Sequence, residues 1–286
     1  MDESLSDWLA VREPADFAAR SATLVERVRH ALASTDTVRG LDLCTGTGSN
    51  LRYLIDRLPG RQTWLAADRD ARLLEELPTK LKTWADGRGY SMRTEGRVSS
   101  LRGGRCECDV ETRAMDLDRL DAGLFEGRNL VTASALLDLV SESWLRLLAA
   151  RCREASAIAL FTLTYDGRSS CDPVEPEDDM VRDLMNVHQK TDKGLGGRAE
   201  GPDAWSVAAR VFTEAGYRVE CAPSDWSIGP SERTFQQMLI EGWARVAVEI
   251  APARADTIAD WLGRRLEHLE AGRSRIVVNH VDMVAW

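Results

Sequence analysis

The run Asp42-Leu43-Cys44-Thr45-Gly46-Thr47-Gly48 sets two glycines between an apolar stretch, Val38 to Leu43, and the helical spacing Leu51, Leu54, Ile55, Leu58. Glycines at a strand-to-helix turn let backbone N–H groups approach a ligand with no Cβ in the way. Many folds hold phosphate in such a loop, so the glycines alone specify little. Their neighbours narrow the chemistry. Asp42 precedes Gly46 by four residues, inside the strand end. An acid there suits a ligand carrying a cationic ammonium better than one carrying a pyrophosphate. The dinucleotide fingerprint GxGxxG needs a third glycine, and Leu51 stands in its place. A second acid, Asp68, ends the next apolar run, Thr63 to Ala67, and a carboxylate can accept two hydrogen bonds at once. A third, Asp116 in Ala114-Met115-Asp116-Leu117, ends another strand, with Asp109 and Asp118 competing for the same role.

Three acids at three successive strand ends resemble the class I S-adenosylmethionine-dependent methyltransferases, whose first motif is similar to Leu41-Asp42-Leu43-Cys44-Thr45-Gly46-Thr47-Gly48. The likeness covers residues 36 to 165 and is thin outside them; a bacterial branch acting on small molecules is the nearest in kind. It implies an α/β fold with a doubly wound, mostly parallel, seven-stranded Rossmann-like sheet, an antiparallel last strand and helical lid insertions. It also implies S-adenosyl-L-methionine as cofactor. Contacts to its methionine end fall on Asp42, Cys44, Thr45, Gly46, Gly48 and Asn50. The ribose hydroxyls fall to Asp68, with Arg69 beside it, and the adenine to Asp116 and the backbone of Leu117. Ala133 and Ser134 pack on the cofactor after strand four. In relatives a segment such as Trp8-Leu9-Ala10-Val11-Arg12-Glu13-Pro14 folds over the cofactor, and Arg20 either pairs with the cofactor carboxylate or lies on a solvated helix face.

Methyl transfer from a sulfonium is an in-line displacement, so the protein mainly aligns the acceptor and excludes water. A general base is needed only where the acceptor loses a proton. The Asn/Asp-Pro-Pro-aromatic run that marks methylation of nucleobase or amide nitrogens is absent after strand four, where the chain reads Ser134-Ala135-Leu136-Leu137-Asp138. The acceptor is therefore expected to be a small molecule, under a lid formed by residues 166–202. Within that insertion His188 follows Leu184 by four residues, hence on the helix's apolar face, as an interior histidine or as a base. Gln189 and Lys193 are candidate substrate contacts, although Lys193 also suits a helix-end cation. Tyr165 and Asp166 end strand five beside any acceptor, giving Asp166 as a second catalytic candidate and Tyr165 as a substrate contact. Trp226, after strand six, lines the acceptor pocket or packs the core. His30, His268 and His280 fall on outer helices or the last strand.

The elements that must hold these residues alternate helix and strand, the pattern of a parallel sheet covered on both faces. A helix is predicted over 14–33 with Pro14 at its first turn, another around Leu73 to Trp84 that Pro78 should break or kink, and others over 142–153 and 204–215. Two more follow on Phe235 to Ile250 and Ile258 to Leu269, before a last strand, Arg275 to Val284. Residues 85–104 carry five glycines and read as a loop or irregular hairpin. From Arg105 to Asp116 charge alternates with Cys106, Cys108, Val110, Thr112 and Ala114, as in an edge strand. One domain is expected over 1–286: an N-terminal helical segment (1–35), a cofactor-binding core (36–165), the lid (166–202) and C-terminal helices and strands (203–286).

Of the 286 residues, 44% are hydrophobic and 29% charged, an ordinary globular balance, and the formal net charge is −9. A protein that grips nucleic acid or an anionic membrane needs a basic face, so neither is an expected partner. The alternatives left open are an RNA or protein methyltransferase with a local basic surface, a nicotinamide enzyme, or a cofactor-binding module without catalysis. Six cysteines form no CxxC pair and no zinc spacing, so no metal is expected and the thiols read as small buried groups. The amino terminus (Asp2, Glu3, Asp7) has no basic-then-apolar signal, and a cytoplasmic protein of unknown oligomeric state is expected.

Overall fold

Along Thr37–Leu43 (β1) successive side chains alternate between two buried layers, Leu41 and Leu43 to one side and Val38 to the other. Asp42 therefore points with Val38, toward the layer that holds Leu51 and Leu54. The computed structural model describes residues 5–103 and 106–286; Asp2, Glu3, Arg105 and the side chain of Cys106 lie outside the described residues.

The other strands are Arg61–Asp68 (β2), Ser91–Glu95 (β3), Val98–Gly103 (β4), Cys106–Ala114 (β5), Leu130–Ser134 (β6), Ile158–Asp172 (β7), Val219–Pro223 (β8), Trp226–Ile228 (β9) and Arg275–Ala285 (β10). They join in one sheet in the order β3-β4-β5-β2-β1-β6-β7-β10-β8, with β9 also on β10. From β5 to β7 every pairing is parallel, and β10 runs antiparallel to β7, β8 and β9. The expected seven strands with an antiparallel last strand are thus present as β5-β2-β1-β6-β7-β10-β8. The sheet is not strictly seven-stranded: β3, β4 and β9 add to it.

The helices are Leu5–Ala19 (α1), Ala22–Ala31 (α2), Ser49–Ile55 (α3), Ala71–Asp86 (α4), Ala122–Phe125 (α5), Glu142–Glu154 (α6), Asp178–Gln189 (α7), Ala204–Glu214 (α8), Arg233–Ile250 (α9) and Ala255–Glu270 (α10). Residues of α2, α3 and α4 fill one face of the sheet, and those of α5, α6 and α8 the other. A third apolar cluster joins α1, α7, α9 and α10 to the far ends of β7 and β10. There Arg265, fully buried, donates from Nε to Asp178 Oδ1 at 3.0 Å, and Trp261 Nε1 donates to the same oxygen at 2.8 Å. His268 meets Glu175 at 2.6 Å. These bonds tie α10 to the start of α7, which occupies Asp178 and His268 structurally.

Several local expectations fail for identifiable reasons. Pro14 does not open a helix; α1 runs through it, and the chain breaks at Arg20–Ser21, where Ser21 Oγ caps α2 by accepting from Leu24 N at 3.3 Å. Pro78 likewise stands inside α4 without interrupting it. The glycine-rich stretch after α4 is a regular hairpin, β3 and β4, and it covers β5, which is not an edge. The acids of β5 instead face cross-strand cations: Arg102 lies 2.8 Å from Asp109, and Arg61 3.7 Å from Glu107. Strand five continues through Tyr165 and Asp166 to Asp172, because β10 pairs with it along that length. Among the thiols, Cys221 is exposed and Cys44 half-buried, against the expectation of buried cysteines.

Candidate functional site

The carboxyl ends of β1, β2, β5, β6 and the middle of β7 converge on one side of the sheet, the side on which such sheets bind ligands. Between β1 and α3 the loop Cys44–Gly48 turns sharply. Gly48 has φ +83, and a Cβ there would lie 2.9 Å from Leu77 Cγ; Gly46 has φ +54, with Leu9 of α1 lying against it. Only residues without a Cβ fit both positions easily. Helix α1 crosses this loop, and Glu13 pairs with buried Arg52 at 2.6 Å, whose Nη1 donates to Thr47 O at 2.6 Å.

Register sets the polar centre of the loop. Asp42 of β1 lies opposite Thr132 of β6, and Asn50 of α3 faces both. Asp42 is fully buried; its Oδ2 accepts from Thr45 Oγ1 at 2.6 Å and its Oδ1 from Asn50 Nδ2 at 2.6 Å. Asn50 Nδ2 also donates to Thr132 Oγ1 at 3.1 Å, and Asn50 Oδ1 accepts from Arg20 Nη1 at 2.6 Å. Burial pushes the Asp42 carboxyl up to about 6. Arg20 lies over the Tyr53 ring at 3.9 Å, and burial lowers its pKa while Asp282 and other acids oppose the shift. Its Nε and Nη2 are buried and have no hydrogen-bond partner among the described residues. The solvated-face alternative for Arg20 is excluded.

Asp68, buried at the end of β2, accepts from Gly46 N at 2.8 Å and from Asp70 N at 2.9 Å. With one donor apiece, each oxygen retains a second lone pair. Arg69 is exposed, and Gly194, in the loop after α7, lies beside its guanidinium. The three acids competing at the end of β5 separate cleanly. Asp109 is held by Arg102 and Ser100, and Asp118 accepts from Gly196 N at 2.8 Å, tying down the loop after α7. Asp116 is exposed, with one oxygen accepting from Asp118 N at 3.0 Å. Leu117 is buried, and its carbonyl accepts from Trp144 Nε1 at 2.7 Å. Ala133 is buried and Ser134 half-buried at the end of β6. The Cys44 thiol is held neutral by burial and by the nearby Asp68 and Asp42.

The acceptor-side candidates do not all meet. Tyr165 and Asp166 are neighbours in one strand, so they point to opposite faces. Tyr165 donates to Asn186 Oδ1 at 3.0 Å, toward α7. Asp166 accepts from Arg168 N at 3.0 Å and pairs with the Arg168 guanidinium, which commits it to its own strand. His188 is half-buried, its ring 3.4 Å from Lys193 Nζ and 3.8 Å from Glu249; burial, then Lys193, lowers its pKa. Gln189 reaches Asp138 Oδ2 at 3.5 Å. Trp226 is buried in β9, donating from Nε1 to Asp16 Oδ1 at 2.9 Å, so packing describes it better than a pocket wall.

Sequence reasoning missed four residues here. Asp138 is 6% exposed, and its Oδ1 has no hydrogen-bond partner among the described residues. Burial pushes its carboxyl up to about 6, against the pull of Arg12 and Lys193. The signal was available: one acid inside Leu136-Leu137-Asp138-Leu139-Val140 is a charge in an apolar run. Arg12 pairs with Asp16 at 2.9 Å and lies over the Trp226 ring at 5.3 Å. His280 is not peripheral. It sits 4.5 Å from the Trp226 ring and 6.1 Å from that of Tyr165, and burial drives it down to about 3. No sequence signal marks Arg12, Asp16 or His280, because long-range packing alone brings them together.

A separate surface depression of about 500 Å³, lined by Arg29, Asp56, Arg57 and Tyr90 among others, opens near the amino end of β2, far from these groups along the sheet. Among the described residues no group of three or more His, Cys, Asp or Glu is arranged to hold a metal ion, and no helix is long and apolar enough to cross a membrane.

No protein-family model and no curated protein matches the sequence. Solved structures do match in shape. A cyclopropane synthase from Mycobacterium tuberculosis aligns with a TM-score of 0.45 at 10% identity, over 92% of this chain and 83% of its own. A SAM-dependent methyltransferase from Thiobacillus denitrificans, bound to S-adenosyl-L-homocysteine, aligns at 0.42 and 14% identity over 99% of both chains. A geranyl diphosphate methyltransferase, in complex with GPP and sinefungin, aligns at 0.42 and 10% identity over 92% of this chain and 78% of its own. At such identities and TM-scores the functional reading rests on the site's own residues.

Proposed function

We propose that the chain is a methyltransferase that binds S-adenosylmethionine at the Cys44–Gly48 loop and methylates a small-molecule acceptor in the cytoplasm. The observation that carries the reading is Arg20. A guanidinium with two buried N–H-bearing nitrogens unpaired is an incomplete site, since burying a donor without a partner costs about 1–3 kcal/mol. A ligand carboxylate completes it, and a bidentate fit is the strongest such pairing. The Arg20–Asn50–Asp42 chain sets that cation beside a buried acid, so the pair suits a ligand end bearing both a carboxylate and an ammonium.

The remaining groups fit the same donor. Asp68, at the next strand end, keeps lone pairs for a vicinal diol, and Asp116 and Leu117 flank the position expected for the adenine. Bound there, S-adenosylmethionine supplies an activated methyl on a sulfonium. The protein's part is to fix its two ends and exclude water, and α1 serves the second task by lying across the loop through Leu9 and the Glu13–Arg52 pair. A nicotinamide enzyme fits less well. Its third glycine is replaced by Leu51, buried in the core, and its sheet order continues from strand five into a parallel strand six, where this chain inserts antiparallel β10. The net charge of −9 favours a small acceptor over nucleic acid.

Calorimetry with S-adenosylmethionine, S-adenosylhomocysteine and NAD tests the reading. Binding of both sulfur compounds and not NAD is the expected result. Tight NAD binding with no response to either sulfur compound would overturn it.

A further inference from the structure

We infer that Asp138 is the acceptor-side base, and that the acceptor presents a neutral hydroxyl whose proton passes to Asp138 Oδ1 as the methyl arrives; this rests on the methyltransferase reading. The geometry carries it. Asp138 follows the end of β6, the central strand next to the glycine-loop strand β1, and so lies on the ligand side of the sheet. It is buried, and its Oδ1 has no hydrogen-bond partner among the described residues, while Oδ2 has a long contact of 3.5 Å to Gln189 and the residue's own backbone amide gives the carboxyl further support. A buried carboxylate in that state is costly to the fold, and a donor brought by the acceptor would satisfy it.

The groups around Asp138 select the acceptor's chemistry. Arg12 of α1 and Lys193, after α7, both act on it as positive charges, and Tyr165 of β7 lies close enough to feel its charge. Two cations already present disfavour an ammonium acceptor beside the carboxylate. They do not disfavour a neutral hydroxyl, and they help keep Asp138 ionised. The balance is simple. A lone pair on the acceptor oxygen forms the C–O bond, the sulfonium–methyl bond breaks with its electron pair returning to sulfur, and the hydroxyl proton goes to Asp138.

Two competing bases are weaker. His188 is half-exposed and shares its surroundings with Lys193. His280 also has an unpaired buried nitrogen, Nδ1, but the same burial that isolates it brings its pKa to about 3, which leaves it too weak a base near neutrality. Asp138, raised to about 6, is better matched to that pH range.

The test compares wild type with Asp138→Asn, using phenol, benzyl alcohol and glycerol as hydroxyl probes, and pyridine and dimethyl sulfide as acceptors with no proton to lose. Calorimetry first measures S-adenosylhomocysteine affinity in both proteins; no binding by wild type would sink the donor reading itself, whereas equal binding isolates Asp138. The ¹³C resonance of the Asp138 carboxyl is then followed against pH, and it is expected to shift when a hydroxyl probe is added to the S-adenosylhomocysteine complex. Turnover of a hydroxyl probe should rise through an apparent pKa near that of the carboxyl and fall about 100-fold or more in Asp138→Asn, with KM little changed. The inference fails if Asp138→Asn keeps its turnover. It also fails if only the proton-free acceptors are methylated, or if no hydroxyl probe either reacts or moves the Asp138 resonance.

Discussion

The two halves of the site use buried carboxylates in opposite ways. Around the glycine loop every carboxylate oxygen is engaged: Asp42 holds Thr45 and Asn50, and Asp68 holds the amides of Gly46 and Asp70. On the proposed acceptor side, Asp138 Oδ1 and His280 Nδ1 are buried and have no hydrogen-bond partner among the described residues. Asp42 and Asp138 are each brought to about 6 by burial, yet one is a brace and the other an open group. The contrast teaches that a raised carboxyl pKa does not mark reactivity by itself; what distinguishes the two is whether each oxygen already holds a donor.

The largest effect should follow from loosening the braced half. Asp68→Ala removes the acceptor for two backbone amides as well as the proposed diol contact, so S-adenosylmethionine affinity should fall by about 100-fold. Calorimetry reads it directly, and unchanged affinity would refute the role given to Asp68. Arg20→Met comes next. It deletes the guanidinium, bonded only through Nη1 to Asn50 among the described residues, but keeps an apolar stem over Tyr53, and a loss of about 10- to 50-fold in cofactor affinity is expected. If both variants instead raise the KM of an acceptor while leaving cofactor binding alone, the division into halves is wrong.

Stability offers a sharper break. For a carboxyl raised in the folded state, the fold's extra stability is fully present below the unfolded pKa, near 4, and is lost as pH rises through about 6. Above that, Asp138 sits ionised and underpaired. Asp138→Asn should therefore stabilise the protein at pH 8, on the order of 1–3 kcal/mol, and change little at pH 4. Asp42→Asn should instead destabilise it at both, because the one new amide nitrogen must replace the acceptor of either Asn50 Nδ2 or Thr45 Oγ1. Thermal melts of the two variants across that pH range decide it. Equal behaviour would erase the distinction between the braced and the open carboxyl.

The halves also differ in how legible they are from sequence. Most of the braced half comes from residues 42 to 68, one strand–loop–helix–strand unit, whose spacing follows from local periodicity; its outliers, Arg20 and Thr132, arrive through a helix end and a strand register. The open half gathers residues 12, 138, 165, 189, 193 and 280 from five separate places. No local pattern encodes that meeting. The same limit explains the misread fold features. Where β7 ends depends on β10, more than a hundred residues away, and whether β5 is an edge depends on a hairpin whose strand periodicity is masked by glycines. The central parallel strands were legible because continuous burial writes itself into a run of apolar residues.

The smallest predicted effect concerns the residue that sequence alone favours as a base. His188 ends α7 with its ring beside Lys193 and Glu249, partly open to solvent. Its lowered pKa reflects burial and a neighbouring cation, and among the described residues no carboxylate orients the ring through a hydrogen bond, Glu249 lying 3.8 Å away. Such a side chain is a weaker candidate base than Asp138. His188→Ala should then leave kcat within about threefold and act, if at all, on acceptor KM, since a lost general base would cost about 100-fold or more. The pH profile is the more searching readout. An acid limb that persists unchanged in His188→Ala and vanishes in Asp138→Asn assigns the titrating group to the open carboxylate. A limb lost in His188→Ala would return the proton to the histidine and leave Asp138 as a second brace, like Asp42.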